Sequence, residues 1–227
     1  MPRALVVADE VDTGLWADAV RSYSVDLVIG AGDLPFDYLE FLADALDRPC
    51  VFVPGNHDAD LGGFTESTGL LLRAGFPARW PGPRGGINAD GRVVDVAGLR
   101  IAGLGGSIRY NSGPNQWSQA QQARRARKLV RAACRRNRQD GGRVHVLLTH
   151  SPPRGLGDRE DPAHQGFDCL HRTVEKLRPD WLLHGHIHPH GEHLAEHRIG
   201  PTRIRNVVGR QVIDFDNTHS ATLAGEV

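Results

Sequence analysis

Short apolar runs that end in polar residues recur along the first third of the chain, separated by segments of helical spacing. Leu5-Val6-Val7-Ala8 runs into Asp9, and Leu27-Val28-Ile29 into Gly30-Ala31-Gly32-Asp33. Cys50-Val51-Phe52-Val53 runs into Pro54-Gly55-Asn56-His57-Asp58. Apolar residues at every position mark strands buried on both faces of a sheet, and Gly or Pro punctuates their carboxyl ends. Between them, Trp16 to Val20 and Tyr38 to Leu46 are spaced as helices. This alternation predicts βαβ units and a parallel sheet, with polar residues at the strand carboxyl ends, where open α/β sheets bind ligands.

Farther along, residues 59–90 read as loop, rich in Gly and Pro, with a helical turn or two about Leu70 to Leu72. Strands are expected over Gly91 to Val96 and Leu99 to Leu104, followed by a polar turn from Gly105 to Asn111. Ser118 to Asn137 predicts the longest helix, with Ala123, Ala126, Leu129, Val130 and Ala133 on one face. A strand over Val144 to Leu148 ends at Thr149-His150. A helix near Phe167 to Leu177 precedes a strand, Trp181 to Leu183, that leads into Gly185-His186-Ile187-His188. Arg203 to Asn206 and Gln211 to Phe215 suggest a closing hairpin about Gly209. No repeat or linker divides the chain, so 1–227 reads as one domain, large enough to bury a core on both sides of a sheet.

Composition narrows the partners. Lys plus Arg and Asp plus Glu are both 27, so no global charge argues for nucleic acid or an anionic membrane. Cys50, Cys134 and Cys169 are odd in number and far apart, which argues against a disulfide framework or zinc ribbon and favours a reducing cytoplasm. There is no apolar run of about 18 residues and no basic-then-apolar leader pattern. A soluble cytoplasmic protein with no membrane partner is expected. Nothing in the pattern specifies an oligomeric state.

The candidate chemistry lies at the strand ends. Asp9, Asp33, Asn56, His150, His186 and His188 each follow an apolar strand, so six side chains can converge although they span most of the chain. Three nitrogens with three oxygens suit divalent Mn, Fe or Zn, whereas Ca and Mg prefer oxygen alone. His57, next to Asp58, is an imidazole suited to donate a proton. Arg109, Tyr110 and Asn111 could hold a non-reacting part of a substrate, and the loop Gly157 to His164 could overhang the site. His184, His190, His193 and His197 flank the histidine pair as supporting or surface groups. The helix from Ser118 carries Arg124, Arg125, Arg127, Lys128, Arg131, Arg135, Arg136 and Arg138, a basic stripe that would suit nucleic acid or simply face solvent.

The order Asp9, Gly-Ala-Gly-Asp33, Gly-Asn56-His57-Asp58, Thr-His150 and Gly-His186-Ile-His188 resembles that of the calcineurin-like metallophosphoesterases, from Asp9 to His188. The resemblance implies an α/β fold, a four-layer α/β-β/α sandwich of two mixed sheets flanked by helices. It also implies a site for two divalent metals, manganese or similar, at the strand carboxyl ends. Asp33 would bridge both ions. Asn56, His150 and His186 would complete one, while Asp9 and His188 would hold the other. His57 would contact the scissile phosphate and protonate the leaving group, with Asp58 orienting it. The implied activity is hydrolysis of a phosphomonoester or phosphodiester.

The departure is at the first motif, where the family has Asp-x-His and this chain reads Asp9-Glu10-Val11. Valine offers no ligand, so the Asp9/His188 site is expected to bind weakly. Glu10 and Asp12 lie nearby, but continued strand alternation would point Glu10 away from Asp9's direction. Two alternatives stand beside the phosphoesterase: a nuclease that grips a backbone with the arginine helix, and a degenerate, non-catalytic binder of metal or phosphate.

Overall fold

The computed structural model describes residues 2–189, 191 and 195–215. Its first part runs β1 (Arg3–Ala8), β2 (Leu27–Gly30), α1 (Phe36–Leu46) and β3 (Cys50–Phe52). Then come β4 (Phe64–Ser67), β5 (Leu70–Arg73), β6 (Phe76–Pro77), β7 (Ile87–Asn88), β8 (Val93–Val96) and β9 (Leu99–Leu104). Two short strands, β10 (Ser107–Ile108) and β11 (Gln116–Trp117), precede the long α2 (Gln119–Asp140). The chain closes with β12 (Val146–Thr149), α3 (Cys169–Leu177), β13 (Trp181–His184), β14 (His197–Ile199), β15 (Thr202–Asn206) and β16 (Gly209–Asp214).

Two mixed sheets carry the fold. One has the order β16-β1-β2-β3-β7, the other β14-β15-β13-β12-β9-β8. Within the first, β1, β2, β3 and β7 are parallel and β16 runs antiparallel along β1. In the second, β15, β13, β12 and β9 are parallel, with β14 and β8 antiparallel at the edges.

Strand alternation divides the buried residues into layers. Ala4, Val6 and Ala8 face Ile101, Val146, Leu148 and Leu183 between the sheets. Leu5 and Val7 face the opposite way, onto Tyr38, Leu39 and Leu42 of α1. Leu147 and Leu182 pack on Ala126, Leu129 and Ala133 of α2 and Leu170 and Val174 of α3. The order is therefore helix, sheet, sheet, helices, the expected four-layer sandwich. Each buried Leu, Ile or Val contributes about 1.5–3 kcal/mol.

The predicted α2 is well determined locally. Ser118 Oγ accepts from Gln121 N while Gln121 reaches back to Ser118 N, a capping box, and Gly141 ends the helix at φ 71°.

Three expectations are corrected. The helix through Trp16 to Val20 is a short 3-10 turn, Asp18–Ser22, because the buried residues Leu15 and Val20 are five apart, a spacing that no continuous helical face provides. Leu70 to Leu72 lie in a strand rather than a helical turn. Thr68 and Gly69 (φ 50° and 76°), then Ala74 and Gly75 (φ 51° and 83°), make two-residue reversals that set β4, β5 and β6 antiparallel. The expected closing hairpin is absent: β15 pairs with β13 and β16 pairs with β1, so the chain changes sheet between them.

Candidate metal centre

The site lies across the carboxyl ends of β1, β2, β3, β12 and β13, and unusual backbone turns build it. Asp9, Asp33 and His186 have φ of 60°, 55° and 70°, in the left-handed region where non-glycine residues are uncommon. Asp9 and His186 each sit at the centre of a three-residue turn, with Glu10 N donating to Ala8 O at 2.6 Å and Ile187 N donating to Gly185 O at 2.9 Å. The two turns face each other. Both Asp9 carboxylate oxygens accept from His186 N, at 3.1 and 2.9 Å.

Asp33, His150 and His186 bring ligand atoms within 4.8 Å of one another, and His150 and His186 are buried. His150 Nε2 lies 3.2 Å from Asp33 Oδ2 and 3.1 Å from Asn56 Oδ1. Donors that share one ion at about 2.1 Å lie about 3.0–3.4 Å apart, so this spacing suits a common metal. The opposite ring nitrogens are held by carbonyls: His150 Nδ1 donates to Ala31 O at 2.8 Å, and His186 Nε2 donates to Ala163 O at 2.9 Å. A histidine fixed in this way offers its other nitrogen to a cation.

Charge is unevenly spread. Burial pushes Asp33 up, but the charge and hydrogen bond of His150 and the N–H of His57 outweigh it and hold the carboxyl low. His150 is raised by the same partnership despite complete burial. Burial raises Asp9 to about 6 against the charge of His150. Burial, with His150 charged beside it, depresses His186 to about 3. His184 is buried, lowered by that burial to about 4, and hydrogen-bonded through Nδ1 to Gly185 O.

His57 is exposed at the rim, and its backbone N donates to Asp33 Oδ1 at 2.8 Å. The buried Asp58 accepts through Oδ2 from Gly55 N and Asp33 N at 2.7 and 2.9 Å, tying the two motif loops together. Its described hydrogen bonds thus go to backbone rather than to the His57 ring. Tyr110 Oη accepts from Asn56 Nδ2 at 3.2 Å and so orients that amide. Arg109 donates to Gln116 O and Gln121 Oε1, and Asn111 Oδ1 accepts from Gly113 N, so both brace their own loop.

The overhanging loop is in place. Beyond the Ala163 contact, the His164 ring lies 5.2 Å from that of His186, and Arg159 Nη2 donates to His188 O at 2.7 Å. His190 and His193 lie outside the described residues, and His197 opens β14. Of the arginine stripe, Arg125 pairs with Asp90 and Arg136 with Asp95. Arg124, Arg127 and Arg131 line a groove of about 860 Å³ between α2 and α3, together with Arg172 and Lys176.

At the departing motif, Val11 packs on the cluster beneath α1. Asp12 pairs with Arg210 at 3.0 Å. Glu10 does not follow the strand alternation expected of it. The chain leaves β1 at Ala8, the left-handed Asp9 redirects it, and Glu10 Oε1 meets His188 Nδ1 at 2.9 Å. Sequence reasoning also missed Asn115, whose Nδ2 donates to Gly55 O and Asp58 O at 3.0 Å each. A lone Asn in a Gly-Pro loop carries no signal of a partner nearly sixty residues away.

No helix among the described residues is long and apolar enough to cross a membrane. No curated protein matches the chain. Among solved structures, TT1561 of Thermus thermophilus is similar in fold at 15% identity and TM-score 0.58, over 92% of this chain and 89% of that one. A second crystal structure matches at 13% identity and TM-score 0.59, over 95% of this chain and 100% of its own. The family model of the calcineurin-like phosphoesterases matches residues 9–190, a span that takes in every strand end just described. The chain belongs to the calcineurin-like phosphoesterase family.

Proposed function

We propose that this protein is a metal-dependent phosphoesterase with a dinuclear centre, acting on a phosphomonoester or phosphodiester. The observation that carries this reading is the convergence of Asp33, Asn56, His150 and His186 from four separate strand ends onto one point. Asn56, His150 and His186 would hold one transition-metal ion and Asp9 and His188 the other, with Asp33 between them. The mixed donor set favours manganese, iron or zinc. When bound, two such ions supply a water of lowered pKa and offset charge on the phosphoryl oxygens.

The chain's own residues do the rest. His57 stands exposed at the rim, with its backbone N–H on Asp33 Oδ1, and its ring would deliver a proton to the departing alkoxide. Asp58, Asn115 and Tyr110 keep the Asn56-His57 turn in place. The loop bearing Ala163 and Arg159 lies against His186 and His188 and would restrict water on that side. Because Val11 contributes no ligand, the Asp9/His188 position binds the weaker ion. Titration of chelated protein should show two unequal steps, and equal affinities would remove that asymmetry.

The test of activity is hydrolysis of aryl phosphate mono- and diesters by chelated protein with and without manganese. Metal-restored turnover is expected, and its absence with every transition metal would bring the non-catalytic binder forward. A second reading, nuclease activity, is favoured by the cationic groove between α2 and α3. It requires cleavage of DNA or RNA that falls steeply with salt.

A further inference from the structure

We propose that Glu10 is the positioning carboxylate of His188, fixing the imidazole that the weaker metal site depends on. The inference rests on the dinuclear reading above and explains how that site can function without an imidazole at position 11. Three imidazoles are the candidate histidine ligands, and each has a ring nitrogen on an oxygen that is not itself a candidate ligand. His150 Nδ1 is on Ala31 O at 2.8 Å, His186 Nε2 on Ala163 O at 2.9 Å, and His188 Nδ1 on Glu10 Oε1 at 2.9 Å. By this pattern Nδ1 of His188 is the held nitrogen and Nε2 the one offered to the ion. Glu10 differs from the other two acceptors in being a full anion. An anionic acceptor on the far nitrogen makes an imidazole a stronger ligand, which a site lacking one donor needs.

The backbone makes this arrangement possible. Asp9 at φ 60°, with the Glu10 N to Ala8 O bond, turns the chain so that residue 10 reaches the turn after β13. That turn is itself pinned. Asp9 accepts from His186 N, Asn206 Nδ2 donates to Ile187 O at 2.8 Å, and Arg159 donates to His188 O. With the backbone of His188 held on both sides, the Glu10 contact bears on the rotation of the ring. Val11, packed inward beneath α1, leaves this direction open.

The test is a calorimetric manganese titration of chelated wild type, Glu10→Ala and Glu10→Gln, with cobalt absorption spectra of each. Wild type should take up two equivalents in unequal steps. Glu10→Ala should weaken the weaker step about 10–100-fold and leave the tighter one unchanged. Glu10→Gln should lose less, because its amide oxygen still accepts from Nδ1–H, and the cobalt bands should keep their positions. Two variants that titrate as wild type would overturn the inference and leave the dinuclear reading intact. A Gln variant as impaired as Ala, with shifted cobalt bands, would make Glu10 a direct ligand and also overturn it. Loss of both steps would mark a structural role and overturn it as well. Wild type that binds one equivalent or none would remove the dinuclear reading itself, and this inference with it.

Discussion

The Asp9 carboxylate grips the backbone of His186: both oxygens accept the same N–H, at 3.1 and 2.9 Å, across a sequence separation of 177 residues. Each residue is the centre of a tight turn with positive φ, a conformation that costs about 1–3 kcal/mol and survives only when neighbours over-determine it. Asp9→Ala removes a clamp worth about 1.5–3 kcal/mol as a hydrogen bond to a charged group, but it also relieves the burial that raises this carboxyl to about 6, so unfolding free energy should fall by less than that range. Asp9→Asn keeps one acceptor and should retain most of that stability, yet lose the weaker metal site. Denaturant melts paired with metal titrations of the two variants check both halves.

The buried His150–Asp33 pair makes a pH prediction. His150 is raised from 6.5 to about 9 in the fold, so its contribution is fully present below the unfolded value and disappears as pH rises through 9. Asp33 is lowered from 3.8 to about 2, so its share is present above 3.8 and disappears as pH falls through 2. Chelated protein should therefore lose thermal stability between pH 7 and 10. Metal binding replaces the shared proton, so loading at pH 7 should release close to one proton for the tighter ion. Titration in buffers of different ionisation enthalpy counts it, and a count of zero would mean His150 is already neutral.

His57 and Asp58, adjacent in sequence, should behave differently. His57→Ala removes an exposed ring and keeps the backbone N–H on Asp33, so turnover should fall about 10²–10⁴-fold with metal binding retained. Asp58→Ala strips the acceptor from two backbone N–H groups, and should cost about 2–3 kcal/mol and weaken metal binding as well. A variant at Asp58 that kept full stability and metal affinity while shifting the acid limb of the pH–rate profile would restore it as the partner of the His57 ring.

Gly32 is required for space as well as for its φ of +97°. A Cβ there would lie 2.6 Å from Gly55 N and 2.6 Å from His150 Nδ1. Gly32→Ala should displace His150 and the Asn56 turn together and abolish the tighter metal step. Calorimetric titration that returned the wild-type affinity would show that the two loops can move apart freely.

Local pattern was enough for much of this molecule. The all-apolar runs marked β1, β2, β3, β12 and β13, because a strand buried on both faces has no polar position to blur it. Since a polar residue follows each run, Asp9, Asp33, Asn56, His150, His186 and His188 could be picked out together as candidates. The capping box at Ser118 and the alanine face of α2 were equally local and equally readable. What escaped was non-local or depended on backbone handedness. The β4–β5–β6 reversals use Thr-Gly and Ala-Gly in place of the usual Asn-Gly, and the sheet change between β15 and β16 depends on which open edge is near.

At the candidate site, sequence determined which polar side chains arrive and at which strand ends. Only the tertiary structure decided where Glu10 and Asp58 point. The Glu10 expectation assumed that strand alternation continues past Ala8, but contact with the His186 turn holds Asp9 left-handed and sends residue 10 to His188. Asp58 was paired with its sequence neighbour, while its carboxylate accepts from the Gly55 and Asp33 amides, brought close by the meeting of β2 and β3. Residue type is written in the chain, but the direction of a side chain after a strand is set by whatever the fold places opposite it.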